Sequence, residues 1–342
     1  MKALDLGMSL FEAEVLPLVR KGFPHLVDRL AAGAMGAGSD TQGLDDETSR
    51  DHHWGPRANL LLYDEDYEAD GDAFREYLAA HLPESYQGHP VQRIRHDGAG
   101  VSVEAMGAFF RKYTGFPERP ENESDWFQCC EPDLYHATSG VVFYDPSGEL
   151  TRRRDGFLAY YPDNIWKKKI ADWCLYVTGS PSAYNIHRCH RRGDMVSAYI
   201  FYGNCLKRQI ELAFLLNRCY FPYTKWLHRV FLRLPKLVDQ LEPMIQANLE
   251  TGDWAEKVQW VIGVNHLYAL ELWHMGLTTQ PQFKPFDPSL TDLILYESAL
   301  ELYQQIPAEM LHARFNEVEH WEVLAREVLF DTSDYFQKKF KA

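Results

Sequence analysis

Along the first thirty residues, apolar positions recur at helical spacing. Leu6, Leu10 and Phe11, followed by Val15, Leu16 and Leu18, mark one stripe over 5–30, and Pro24 is expected to divide it into two helices. The pattern then changes. Residues 31–39 are small and too rich in glycine for an ordinary helix, which predicts a short strand ending in a tight loop. A polar, acidic stretch, 40–53, leads to a strand-like run at 57–63. A helix is expected over 71–81, strands over 91–95, 101–106 and 140–144, and a short helix over 109–113. From Tyr161 the alternation fades. Long amphipathic segments replace it at 164–177, 194–217, 226–248, 255–273, 290–305 and 308–329, with Pro222, Pro235, Pro281, Pro285, Pro288 and Pro307 between or beside them. The expectation is an α+β chain: a small mixed sheet with helices on one side over 1–150, then an all-helical domain over 151–342.

Composition narrows the function. Lys and Arg number 35 against 49 Asp and Glu, for a net charge of −14. A grip on long nucleic acid needs a basic surface, so that class is set aside, although a local basic pocket for a phosphate ligand is compatible with this charge. The six cysteines have no zinc-knuckle spacing and are too few for a disulfide scaffold, and they read as reduced thiols. The first twenty residues contain Glu12 and Glu14 and build no apolar signal region, and no run is long enough for a membrane helix. The expectation is a cytoplasmic protein without a membrane partner.

The informative stretch is GSDTQGLDDETSRDHHWGP, residues 38–56. A Gly38-Ser39 turn lets backbone N–H groups and a hydroxyl approach phosphate oxygens. Asp51 and His53, two apart on an extended segment, point to one side and are placed to share a metal. Magnesium held there would bridge triphosphate oxygens.

This order of GS turn, gap and acidic pair before a strand resembles the nucleotidyltransferase superfamily of the polymerase-β type. The whole stretch resembles one uncharacterised bacterial branch, whose members read GS-x-x-x-G-x-DDE-x-SRDH-x-WGP. The segments FLLNRCYFPYTKW (214–226), YYPD (160–163) and RGD (192–194) resemble its helical half. The resemblance implies transfer of a nucleoside monophosphate from an NTP, ATP first among them, to a small acceptor; a protein acceptor stays open. It implies Asp51 as the main catalytic metal ligand, with His53 and Glu104 completing a Mg or Mn site. Gly38 and Ser39 would hold the terminal phosphates, with Arg192, Arg218 and Lys225 supplying positive charge. The chain departs from the superfamily at His53, where a second carboxylate is usual. Histidine suits Mn better than Mg. A neighbouring carboxylate such as Asp46 would be one substitute. A nucleotide-binding regulatory module with weakened catalysis is the alternative reading.

Plainer readings compete for the same residues. Asp45 and Glu47 read as a solvated acidic loop, and Lys167-Lys168-Lys169 as a solvated helix face. Arg192, Arg218 and Lys225 are equally compatible with local ion pairs, and only the resemblance favours a phosphate pocket. Cys189 and His190 fall in an expected polar loop without a second pair for zinc. The Glu271/His274 and Glu317/His320 pairs are expected on solvated helix faces. The tripeptide Asp51-His52-His53 lacks the upstream aspartate motif of the DHH phosphodiesterases.

Overall fold

The computed structural model describes residues 2–50, 54–91, 100–179, 182–283 and 293–316, together with Arg326 and Phe330. Asp51, His53, most of the expected strand at 91–95 and the Glu317/His320 pair lie outside the described residues. The chain is α+β and divides into two compact units. The first comprises 1–121 and 132–160, the second 122–131 and 161–342. The boundary expected near 150 therefore falls inside the first unit.

The first unit opens with α1 (Ala3–Leu10), a π-helical turn (Phe11–Val15) and α2 (Leu16–Gly22). The wide turn lies just before Pro17, whose ring cannot donate into a regular ladder. Pro24 starts only a single 3₁₀ turn (Pro24–Leu26), so the second helix expected after it is absent. Then come β1 (Ala31–Met35), β2 (Ala58–Leu62), α3 (Asp64–His81), and the hairpin of β3 (Ser85–Tyr86) and β4 (His89–Pro90). The unit continues with β5 (Val101–Ala105), α4 (Met106–Thr114), α5 (Glu131–Thr138), β6 (Gly140–Tyr144) and α6 (Glu149–Leu158). Glu131, the first residue of α5, belongs to the second unit. Helix α3 starts seven residues before the sequence expects it. Asp64, Glu65 and Asp66 stabilise its N-terminus, and Arg29 ties down the last two at 2.6 Å each.

Four strands form a mixed sheet in the order β5-β2-β1-β6. β1 is antiparallel to β2 and β6, and β2 is parallel to β5. Alternation decides its faces. Ala32, Ala58, Leu60, Leu62, Val101 and Val103 pack with Leu10, Phe11, Val15, Val19, Phe74 and Leu78 from the helices. Asn59, Ser102 and Glu104 occupy the alternate positions and point to the other face.

The second unit is helical: α7 (Asp163–Thr178), α8 (Ala183–Arg191), α9 (Met195–Leu216), α10 (Leu227–Phe231), α11 (Val238–Glu250), α12 (Trp254–His274) and α13 (Ile294–Tyr303). The single helix expected over 226–248 is broken between α10 and α11, where Pro235 cannot continue a helix and Leu237 turns left-handed at φ +73°. Helix α8 replaces the polar loop expected around Cys189 and His190. Its apolar contribution is only Ala183, Ile186 and Cys189, too sparse to register as periodicity. No helix of the described residues is long and apolar enough to cross a membrane.

Candidate functional site

At the end of β1 the chain turns through Gly36, Ala37 and Gly38. Gly36 has φ +92°, and a β-carbon there would press on the Tyr113 hydroxyl at 2.5 Å; Gly38 has φ +146°, and a β-carbon there would collide with Asp40 Oδ1. Only glycine fits either position. The carbonyls of this turn are all bonded inward. Thr41 Oγ1 donates to Gly36 O at 2.8 Å and to Gly38 O at 2.9 Å, and Gln42 Nε2 reaches Gly38 O at 3.1 Å. Arg57, the residue before β2, donates from Nη1 to Ala37 O at 2.9 Å and lies with Nε 3.2 Å from Asp40 Oδ2. Tyr113 Oη accepts the Ala37 N–H at 3.2 Å. Among the described residues, the N–H groups of Gly38 and Ser39 and the Ser39 hydroxyl donate to nothing. The turn therefore presents uncommitted donors with its acceptors held inward, a polarity suited to an anion.

Asp40 is buried, and burial pushes its carboxyl pKa up; the Arg57 guanidinium and the Thr41 N–H oppose that rise. Asp45 corrects the expectation of a solvated loop. It is buried, and its Oδ2 accepts the Ala3 N–H at 2.9 Å and Trp54 Nε1 at 3.3 Å, so it caps the start of α1 from a distance in sequence. Glu47 is exposed, as expected. Asp46 is exposed, and its Oδ1 accepts the Ser49 N–H at 2.9 Å, at the start of a 3₁₀ turn (Thr48–Arg50).

Glu104 is half-buried on the polar face of β5. It is level with Leu61, whereas Asn59 is level with Ser102 and bonds to it at 3.2 Å. Arg57 and the turn lie at the Ala58 end of β2. Three residues of strand rise place Glu104 about 10 Å further along the sheet. The register thus brings Gly38, Ser39 and Arg57 together and carries Glu104 towards the other end. Among the described residues no three His, Cys, Asp or Glu side chains converge to hold a metal.

Of the cations expected from the helical half, Arg218 is committed locally. Its Nη2 lies 2.8 Å from Asp163 Oδ1, and its guanidinium stacks 3.7 Å over the Trp166 ring. Lys225 is exposed with its ammonium 5.0 Å over Trp226, and Arg192 is exposed at the end of α8.

The second unit contains a constellation that the sequence pattern does not reveal. Lys168 and Lys169 are 0% exposed, which overturns the solvated face expected for them. Lys168 Nζ donates to both oxygens of buried Asp172 at 2.7 Å, and that carboxylate also accepts Tyr303 Oη at 2.6 Å and Arg326 Nη1 at 3.4 Å. The neighbouring carboxylate raises the Tyr303 phenol further above its ordinary pKa, after burial itself. Lys169 Nζ lies 3.5 Å from Glu131 Oε1 and 4.3 Å over Phe315, and Glu131 Oε2 accepts the Phe221 N–H at 3.2 Å. Glu211 takes Trp173 Nε1 at 2.9 Å and Arg208 at 2.8 Å. One signal points to the network. Lys168 and Asp172 stand four apart on a helix whose residues 170–177 are apolar or aromatic but for Asp172.

Residues 126–227 match the model of a domain of unknown function, DUF4037. That region is under a third of the chain, and it contains Glu131, Lys168, Lys169, Asp172, Arg208 and Glu211. No curated protein matches. Among solved structures, the chain is similar to a nucleotidyltransferase-like protein from Exiguobacterium sibiricum, with 10% identity, a TM-score of 0.36, and coverage of 78% of this chain and 82% of that one. A likeness of that size carries no argument about activity.

Proposed function

We propose that the chain binds a nucleoside triphosphate at the Gly38-Ser39 turn and transfers its nucleoside monophosphate to a small acceptor. The observation that supports this reading is the turn itself, with acceptors bonded inward and the Gly38 N–H, Ser39 N–H and Ser39 hydroxyl left to donate. The residue pattern from Gly38 to Pro56 supplies the remaining support. In this reading the turn holds the terminal phosphates, and Arg57 keeps the loop carbonyls away from them. Asp51 and His53 are proposed to hold a divalent cation, Mg or Mn. Bound there, it would neutralise phosphate charge and polarise the α-phosphoryl group. Glu104 is a half-buried carboxylate on the polar face of β5, and its position along the strand makes it the least direct of the three proposed ligands.

The test is pyrophosphate release from each NTP with Mg or Mn across a panel of small acceptors, comparing wild type with Asp51→Asn. Turnover that disappears in the variant, with its thermal stability unchanged, supports the reading. Destabilisation with intact nucleotide binding overturns it. His53 favours a second reading, a binding module without turnover, because it removes one negative charge from the proposed metal site. A His53→Asp variant that gains turnover supports that reading, and one that loses turnover supports a working Asp/His pair.

A further inference from the structure

Among the described residues, the three most exposed large hydrophobic side chains stand together on one helix. Val196 is 72% exposed, Tyr199 58% and Ile200 58%, on the first turns of α9. Their spacing makes a single stripe, while Ala198, Tyr202 and Cys205 bury the opposite face. The stripe continues over Gly203, where an added β-carbon would meet open space beyond the helix's own backbone. Glycine inside a helix costs stability relative to alanine. No packing among the described residues asks for it here, whereas a partner backbone approaching closely would.

The rim of this stripe is basic. Helix α8 ends beside it, because His190 stacks on Trp254 at 5.7 Å and Tyr199 meets the same ring edge-on at 4.9 Å. Arg188, Arg191 and Arg192 are exposed there, with exposed Asp194 in the connecting turn and exposed Asp253 and Glu256 beside Trp254. Three arginines within five residues of a chain with net charge −14 make a local reversal of sign.

We propose that the α8–α9 face is a docking surface for an amphipathic helix of a partner protein, apolar on one side and acidic on its flanks. The apolar stripe calls for apolar side chains rather than phosphates. The arginines select acidic flanks. A second copy docking through the same face would set these arginines against their own counterparts, which disfavours self-association there.

The test uses the full chain and two designed fluorescent helical peptides with the same leucine stripe, one flanked by glutamate and one by lysine. The acidic peptide should bind at least about tenfold more tightly, and Ile200→Glu should weaken it by about tenfold or more. Arg191→Glu should weaken the acidic peptide and strengthen the basic one. Gly203→Ala should raise Tm yet reduce affinity, a combination that damage to the fold does not produce. Equal binding of both peptides, or of neither, overturns the proposal. So does a homodimer that Ile200→Glu dissociates, or flotation with phosphatidylserine vesicles that depends on Ile200.

Discussion

The two units bury charge for opposite ends. In the first, Arg57 and Asp40 spend their interactions on a backbone turn, which leaves the N–H groups of Gly38 and Ser39 uncommitted. In the second, Lys168, Asp172, Arg326 and Tyr303 satisfy one another inside a helical core, as Lys169 and Glu131 do beside them. Charge that aims a backbone leaves groups available to a ligand. Charge that closes on itself selects one packing of helices and presents little to solvent. A candidate binding element thus differs from a structural one in where the remaining donors point, although both contain buried ions.

The strongest way to break the comparison is Asp172→Asn. It leaves Lys168 and Arg326 without their shared carboxylate, and urea denaturation should show a loss of about 3–5 kcal/mol. Replacing Lys168 by Met together with Asp172 by Leu should cost less than the sum of the two single changes, yet still cost stability, because buried Arg326 loses its carboxylate in both. A small effect of Asp172→Asn would mean that the network is dispensable.

Arg57→Met should cost less, about 2–3 kcal/mol, because it strands buried Asp40 and frees the carbonyls of Ala37 in the turn and Met35 at the end of β1. The loss should depend on pH. Burial raises the Asp40 pKa, so the folded state keeps a proton that the unfolded chain has already released, and stability falls as pH rises through that window. Without Arg57 the rise is larger. The deficit should be greatest near neutral pH and shrink as pH falls through the raised Asp40 pKa towards the ordinary carboxylate range. A deficit independent of pH would mean that Arg57 acts through the carbonyls alone.

Ser39→Ala sharpens the comparison from the ligand side. The hydroxyl bonds to nothing in the described chain, so Tm should not move. Nucleotide affinity by calorimetry should fall about fivefold, the worth of one hydrogen bond. A drop in Tm would make Ser39 structural. The smallest effect is expected for Arg218→Ala, whose ion pair with Asp163 is largely exposed; about 0–1 kcal/mol should be lost in thermal melts. Loss of nucleotide binding without loss of stability would instead return Arg218 to the phosphate site.

Much of this fold is legible in the chain. Small residues at 31–35, an apolar run at 58–62, alternation at 101–105, and glycines at 36 and 38 are local signals, and each of these strands and the turn lie where those signals place them. Helix α3 reads short in the sequence because its first half is acidic, and α8 escapes the pattern because only three of its residues are buried. Both are held by partners distant in sequence, Arg29 for the first and Trp254 for the second.

The candidate site divides the same way. Sequence alone determined that a Gly-Ser turn follows the first strand, because backbone conformation there depends on the residues at the turn. It also determined that Val101 and Val103 share a face opposite to Glu104, because strand alternation is local. Only the tertiary structure decided the fate of the charges. Lys168, Lys169 and Asp45 look solvated from composition, since a lysine run or an acidic loop usually faces water. Asp172, Glu131 and the N-terminus of α1 bring them inside. A charge stays buried only when its counter-charge or hydrogen-bond partner arrives with it, and such partners lie up to 154 residues away, as Arg326 does from Asp172.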